Sequence, residues 1–568
     1  MQELLRKQNK YMKISNVCAL IFVISIAVFA QDEKINKVND LFAEWNKPES
    51  AGCAVGIVEN GKIIYQNGYG SANLEHNIPI TPQTVFHVAS DSKQFTAFSI
   101  LLLAQEGKLS LDDEIHKYLP ELADFGSRIT IRLLIYHVSG IRDQWQLLRL
   151  AGIRGDDVIT NNHILKILSR QKELNFIPGE NELYSNSGYT LLAEIVARVS
   201  GMSFSKFTEE KIFKPLKMND TVFIDDNQRL IKNRADSYSF EKTKGFIKLP
   251  LNFANVGATN LKTTVEDLSK WIINFENPKV GNSSLIEQMY QSSNLNNGDK
   301  INYAFGLFIS EYKGLKTVGH GGGDAGFRSY FVHFPDQKFA IITLCNLDSI
   351  NVGASFNTSG LAYKIADIFL ANDFKPRTEN ISTNFTAFVI DSKILNSYVG
   401  GYQLLSGEIV NFTNEYGTLM MWNPSDVKKN ELLPKSQTEF VSKENNELVR
   451  FEKNSAELIF QAVIQKDNKS LTAKRLAPRN DQQLAEYEGK YYSEELDTNY
   501  EVAVDTNKLV AQHWRNEDIS LIQEAEDFFS GGKWYFDKLL FFRDKNNKVT
   551  GFRVSSGRVK NLVFMKKK

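Results

Sequence analysis

The 568-residue sequence predicts an α+β domain: one antiparallel sheet flanked by helices, with a helical subdomain, followed by two small all-β barrels. Three observations predict it. Strand patterns at both ends of the region up to Asn372 bracket a mostly helical insert, which suits one sheet built from the two ends of a domain. Beyond about residue 390 the pattern changes to short alternating strands. That stretch also repeats itself. Leu395, Tyr398, Gly400 and Tyr402 recur as Leu484, Tyr487, Gly489 and Tyr491 at an offset of 89 residues, and the pairs Leu432/Leu521 and Phe440/Phe529 keep the offset. Two tandem all-β modules are implied, and closing each into a barrel removes exposed strand edges.

Taken in order, the chain begins with Arg6, Lys7, Lys10 and Lys13 ahead of the apolar run Val17–Ala30. The run is short for a membrane span, and small residues at Val28 and Ala30 fit a cleavage site before Gln31. Residues 1–30 are therefore expected to be a signal peptide, leaving an exported, periplasmic or extracellular protein with no stable membrane anchor. A short amphipathic helix is expected at 34–49. Strands are expected at Cys53–Val58 and Lys62–Tyr69, joined by the hairpin signal Glu59-Asn-Gly61. Helices and loops fill roughly 110–290, where Thr264 and Asp267 cap a helix running through Trp271. Strands return at Ala304–Ile309, Leu315–Val318, Ser329–Phe334 and Phe339–Leu344, and a helix is expected at about 358–370. The boundaries follow: 31–372 for the first domain, 373–389 for a polar linker, 390–478 and 479–568 for the two repeats.

Lys plus Arg and Asp plus Glu both number 67, so the chain carries no net charge and nothing favours a nucleic-acid or acidic-membrane partner. After Ala30 only Cys53 and Cys345 remain, which excludes a disulfide-stapled scaffold. Both lie in strand-like runs and are read as buried free thiols, a single bridge being left open.

The chemistry is sought at Phe86-His-Val-Ala-Ser90-Asp-Ser-Lys93, which opens a helix apolar on nearly every face and ending at Gly107. A Ser at a helix start lies where free N–H groups stabilise an oxyanion. The helical pitch brings Lys93 to the same face, and a Lys kept neutral by burial can act as its base. Ser-x-x-Lys alone is weak, since it recurs at Ser169/Lys172, Ser203/Lys206, Ser239/Lys242 and Ser310/Lys313. Only the Ser90 copy opens a long, nearly chargeless helix.

Two further segments offer partners. Tyr184-x-Asn186 supplies a phenol as proton carrier and an amide for the lysine and the substrate. Gly319-His320-Gly321-Gly322-Gly323 follows a strand, and its glycines let a substrate lie against the strand edge. The N–H of Gly323 can join that of Ser90 in an oxyanion hole, beside Gly322. Rival motifs fail. Gly321-x-Gly323-x-x-Gly326 leads into a strand rather than a helix, no Gly-x-Ser-x-Gly elbow occurs, and no His-Glu-x-x-His or paired Cys cluster marks a metal site. No cofactor or metal is expected. His137 is read as a structural loop histidine.

In order and spacing, Ser90-x-x-Lys93, Tyr184-x-Asn186 and His320-x-Gly322 resemble the three motifs of the serine β-lactamase and penicillin-binding-protein superfamily, in its class-C-like branch. Leu133–Gly140 and Gly257–Thr264 are similar to further family segments, and the likeness covers roughly 35–370. The layout of a hydrolase domain before two lipocalin-like barrels is similar to that of D-aminopeptidases. The resemblance implies an acylated nucleophile at Ser90, general acid–base work by Lys93 and Tyr184, an orienting role for Asn186, and His320 on the strand edge hydrogen-bonded towards Tyr184. It also sets Cys53 beside Cys345. Family β-lactamases carry Lys where His320 stands. Losing that charge-assisted hydrogen bond costs about 1.5–3 kcal/mol, roughly ten- to a hundredfold. This disfavours efficient penicillin hydrolysis and leaves small, D-residue or cell-wall-derived peptides and amides as the expected substrates. A carboxylesterase, a weak β-lactamase and a slowly acylating penicillin sensor are the alternatives, and the barrels are expected to bind cell-wall material, to reach over the cleft with one of the pair, or to serve as packing.

Overall fold

The computed structural model describes residues 31–348, 358–375, 390–404, 409–415, 417–422, 429–443, 447–454, 458–466, 469–476 and 484–567. The expected signal peptide at 1–30 and most of the linker lie outside them. Among the described residues no helix is long and apolar enough to cross a membrane.

Six antiparallel strands form the central sheet, in the order Phe308–Tyr312, Leu315–Asp324, Phe327–Phe334, Phe339–Cys345, Cys53–Glu59, Lys62–Tyr69. The two ends of the region thus meet at its middle, as the bracketing strand patterns require. Asn60 and Gly61, with φ of 51° and 69°, make the hairpin turn that pairs Glu59 with Lys62. The N-terminal helix spans 31–42, shorter than expected, because 43–49 continue as turns. Val38 and Phe42 seal one sheet face together with the helix Thr358–Phe369. The helix Val265–Glu276, capped by Thr264 accepting from the N–H of Asp267 at 3.0 Å, covers the other face.

Cys53 and Cys345 are direct cross-strand partners and are joined by a disulfide. Free thiols are thereby corrected to a bridge. The register that aligns the first strand of the sheet with the last places the two sulfurs side by side, and it is a long-range pairing that local sequence does not contain.

The helical region also holds a small three-stranded sheet, Phe86–His87, Leu261–Thr263 and Val222–Phe223, which sequence patterning read as helix and loop. Strands of two or three residues are too short to show alternation. This small sheet clamps the segment leading to Ser90, with His87 paired to Lys262.

Both repeats close into eight-stranded antiparallel barrels. Their shared residues perform the same task twice. Tyr402 donates to the carbonyl of Tyr398 at 3.1 Å and Tyr491 to that of Tyr487 at 2.6 Å. Gly400 and Gly489 hold φ of 143° and 148°, which a side chain would resist. The second barrel packs on the helical region, forming one continuous hydrophobic cluster with it, and the first barrel touches the second through Ile409, Ala525 and Phe528.

Candidate active site

Ser90 sits in the tight turn Ala89–Ser92 that runs directly into the buried helix Lys93–Gln105. Ala89 holds φ of 46°, a strained value for a residue with a Cβ and one that proteins retain mainly at functional sites. The Lys93 ammonium reaches the Ser90 Oγ at 3.1 Å, the Asn186 Oδ1 at 2.8 Å and the Ala258 carbonyl at 2.7 Å. Lys93 is fully buried, and burial brings its pKa down to about 7. The Arg558 cation adds to that push, while Asp324 and Asp143 oppose it.

Tyr184 leads into the helix Asn186–Ser200, and its ring centroid lies 4.9 Å from the Lys93 amine. Its hydroxyl is buried and makes no hydrogen bond among the described residues. Burial raises the phenol pKa, with the neighbouring Ser90 hydroxyl pulling the other way, so it is a protonated donor at neutral pH. His137, at φ 60°, accepts from the N–H of Ser185 at 3.1 Å and packs its ring 4.3 Å from that of Tyr184. It holds the Tyr184 segment from behind, as a structural histidine would.

The strand Leu315–Asp324 brings the third motif to the same place and runs past the expected end at Val318. Of its glycines, Gly322 lies tight against the Ser90 turn. A Cβ at Gly322 would stand 2.2 Å from the Val88 carbonyl oxygen and 2.9 Å from the Ser90 nitrogen. Gly322 and the Ser90 turn are thus in backbone contact, with Gly323 next along the strand edge. His320 departs from expectation. Its Nδ1–H donates to the Gly321 carbonyl at 2.6 Å, so its Nε2 accepts from the Tyr303 hydroxyl at 3.2 Å instead of bonding towards Tyr184. The bond to its own strand fixes the ring and turns the free nitrogen to Tyr303. Burial, with Lys93 adding to it, drives the His320 pKa to about 3, so the ring is neutral.

Three participants were invisible in the sequence. Asp143 accepts from the backbone N–H and the side-chain Nδ2 of Asn186, both at 2.8 Å, and so aims the amide oxygen at Lys93. Tyr303 orients His320. Arg558 comes from the second barrel, on the turn between Val549–Ser556 and Val559–Lys566. Its guanidinium stands 4.7 Å from the Tyr184 ring centroid and 3.8 Å from the Asp143 Oδ2. The turn is clamped. The Arg558 N–H donates to the Gln146 Oε1 at 2.6 Å, and the Arg558 carbonyl accepts from the Asn175 Nδ2 at 2.9 Å and from the Asp143 N–H at 3.2 Å. Beside it, the buried guanidinium of Arg142 donates to Glu495 at 2.6 Å. The Arg558 turn borders an open cavity of about 430 Å³, walled by Trp145 stacked on Phe253, and by Asp143, Ile153, Asp324 and Trp534. Among the described residues no group of three or more His, Cys, Asp or Glu is placed to hold a metal ion.

A buried lysine on a serine hydroxyl, beside a glycine-rich strand edge, defines a class: serine enzymes that pass an acyl group through their own side chain. The Beta-lactamase family model matches residues 38–360, and the chain belongs to that family. It is a serine hydrolase of the β-lactamase and penicillin-binding-protein type. Among its relatives, Penicillin-binding protein 4* of Bacillus subtilis is 28% identical over 437 residues, covering 72% of this chain and 92% of that protein. Protein flp of Staphylococcus aureus is 29% identical over 387 residues, 65% of this chain and 75% of that one. D-amino acid amidase of Ochrobactrum anthropi shares the fold at a TM-score of 0.51 and 22% identity, covering 60% of this chain and 99% of the amidase.

Proposed function

We propose that this protein is an exported hydrolase that cleaves amide or ester bonds of small amino-acid derivatives, D-residue peptides of cell-wall origin among them, through an acyl-enzyme on Ser90. The observation that carries the reading is the convergence of Lys93 on Ser90, Asn186 and Ala258 in a buried setting. With its pKa brought to about 7, a large share of Lys93 is neutral near pH 7 and takes the Ser90 proton as the hydroxyl attacks. The N–H groups of Ser90 and Gly323 stabilise the oxyanion. Tyr184 hands its proton to the leaving group and is reprotonated by the Lys93 ammonium, which restores the neutral amine; water then enters by the same relay in reverse. Asn186, fixed by Asp143, keeps the amine aimed at the hydroxyl.

His320 supports the substrate class. A neutral ring offers no cation for a β-lactam carboxylate. The Arg558 turn closes one end of the cleft, which favours short substrates. The Cys53–Cys345 disulfide suits an oxidising compartment and supports export.

A panel of D- and L-aminoacyl p-nitroanilides, simple esters and nitrocefin, run on the wild type and Ser90→Ala, tests the reading. Multiple turnovers of amides or esters with slow nitrocefin hydrolysis, all lost in Ser90→Ala, are expected. Activity that survives Ser90→Ala overturns it, and a burst that stops at one equivalent makes the protein a sensor instead.

A further inference from the structure

Beneath the strand end that carries Gly323 lies a row of polar groups that acyl transfer does not use. The Lys262 amine donates to the His87 Nδ1 at 2.8 Å, and the His87 Nε2–H donates to the Asp324 Oδ2, also at 2.8 Å. The Thr259 hydroxyl donates to the same Asp324 oxygen at 2.5 Å. Lys262, His87 and Thr259 are all buried. Burying a lysine and a histidine together is costly unless the arrangement fixes something. Here what they fix is a carboxylate.

Asp324 is placed to be used. It follows Gly323 in the chain, acts electrostatically on Lys93, and lines the cavity that Asp143 and Arg558 share beside the nucleophile. Among the described residues two acids line that cavity. Asp143 is 1% exposed and committed to Asn186, whereas the Asp324 side chain keeps 17% exposure. Among the described residues both hydrogen bonds to it end on Oδ2, which leaves Oδ1 for a ligand. Burial opposes its ionisation, but His87, Thr259 and Lys93 together hold its carboxyl below the usual value, so it is an anion at neutral pH.

We infer that Asp324 is the specificity-determining residue of the site, a preset anion that receives the free α-ammonium group of the substrate's acyl residue. Its position sets the identification. The scissile carbonyl oxygen would lie at the N–H of Gly323, and an α-amino nitrogen is two bonds from the carbonyl carbon. Asp324, the next residue along that strand end and an acid whose charge reaches Lys93, is the counter-charge available to that nitrogen. An N-acylated substrate offers no positive charge there and would leave the anion unpaired in a half-closed cavity. The enzyme is on this account an amino-terminal hydrolase, in contrast to one acting on acylated amino groups. This rests on the hydrolase reading above and narrows it.

The test compares alanine p-nitrophenyl ester with propionic and N-acetylalanine p-nitrophenyl esters, using both stereoisomers where they exist, on the wild type, Asp324→Asn and Lys262→Met. Because one hydroxyl attacks all of them, any effect of the substitutions on Lys93 cancels in the ratio of kcat/KM values. The wild type is expected to prefer the amino ester over both others by at least about tenfold, mostly in KM. Asp324→Asn is expected to bring that ratio to about one, and Lys262→Met to reduce it in part. A fluorophosphonate label at Ser90 reports that each variant is folded. A wild type that is labelled but prefers the N-acetyl or deamino ester overturns the inference and leaves the hydrolase reading standing, as does an unchanged ratio in Asp324→Asn. A wild type that is neither labelled at Ser90 nor active on any ester removes both.

Discussion

The guanidinium of Arg558, carried by the second barrel, lies 4.7 Å from the ring centroid of Tyr184 in the β-lactamase region, although 374 positions separate the two residues. A barrel turn thus forms part of the wall around the nucleophile. The barrel is held there by buried pairs such as Arg142 with Glu495 and by the clamp of Gln146 on Arg558.

Removing that side chain has two readable effects. In Arg558→Ala the closed end of the cleft opens, and KM for substrates with long leaving segments is expected to fall several-fold while short esters change less. The same substitution deletes a cation that depresses Lys93, so the activity limb moves to higher pH. Steady-state kinetics on a substrate length series, repeated across pH, checks both.

The pH profile of the wild type follows from Lys93. Its amine is the base only when neutral, and burial brings its pKa to about 7. Activity is therefore expected to rise with pH through about 7 and then level off, since Tyr184 is pushed upward and stays protonated. Asp143→Asn removes an anion that raises Lys93, so its limb shifts to lower pH, alongside a loss of kcat from the freed Asn186.

Gly322→Ala puts a methyl against the Val88 carbonyl and the Ser90 nitrogen at distances no relaxed structure tolerates. The Ser90 turn has to move by an appreciable fraction of an ångström. A fall in kcat of about a hundredfold is expected, with the melting temperature little changed if only the turn shifts. Melting curves beside kinetics separate the two.

Asp91 gives a stability prediction. It is fully buried beside the nucleophile, neither carboxylate oxygen makes a hydrogen bond among the described residues, and burial raises its pKa to about 8. Between its unfolded value near 4 and about 8 the folded state keeps a proton that the unfolded state releases, so stability falls as pH rises across that window. Asp91→Asn does not titrate. Its melting temperature relative to wild type is expected to improve from pH 5 to pH 8, and a difference independent of pH would contradict the assignment.

The disulfide joins the two ends of the sheet across 292 residues of chain. Reduction, or Cys53→Ala with Cys345→Ala, is expected to cost about 2–5 kcal/mol, measured by denaturant melts with and without reductant.

Most of the fold was written locally. The Glu59-Asn-Gly61 hairpin, the Thr264 cap, the buried Ser90 helix and the repeat of Tyr398 and Tyr402 as Tyr487 and Tyr491 each announce themselves within a few residues. The three motif segments were legible for the same reason. What stayed hidden depends on contacts between distant stretches. Asp143 looks like an ordinary helix cap until Asn186 is folded onto it. Arg558 is one of many basic residues until the second barrel docks. The turn of His320 towards Tyr303 follows from a single bond to its own strand. Cys53 and Cys345 become partners only through sheet register.

One measurement bears most directly on the account: fluorophosphonate labelling of the full chain, with the modified residue located by mass spectrometry and the labelling rate followed from pH 5 to 9. A single adduct on Ser90 is expected, absent in Ser90→Ala, slowed at least about a hundredfold in Lys93→Met, and with a rate that rises through about pH 7. An adduct on another serine, or labelling of Ser90 at the same rate without Lys93, would contradict it.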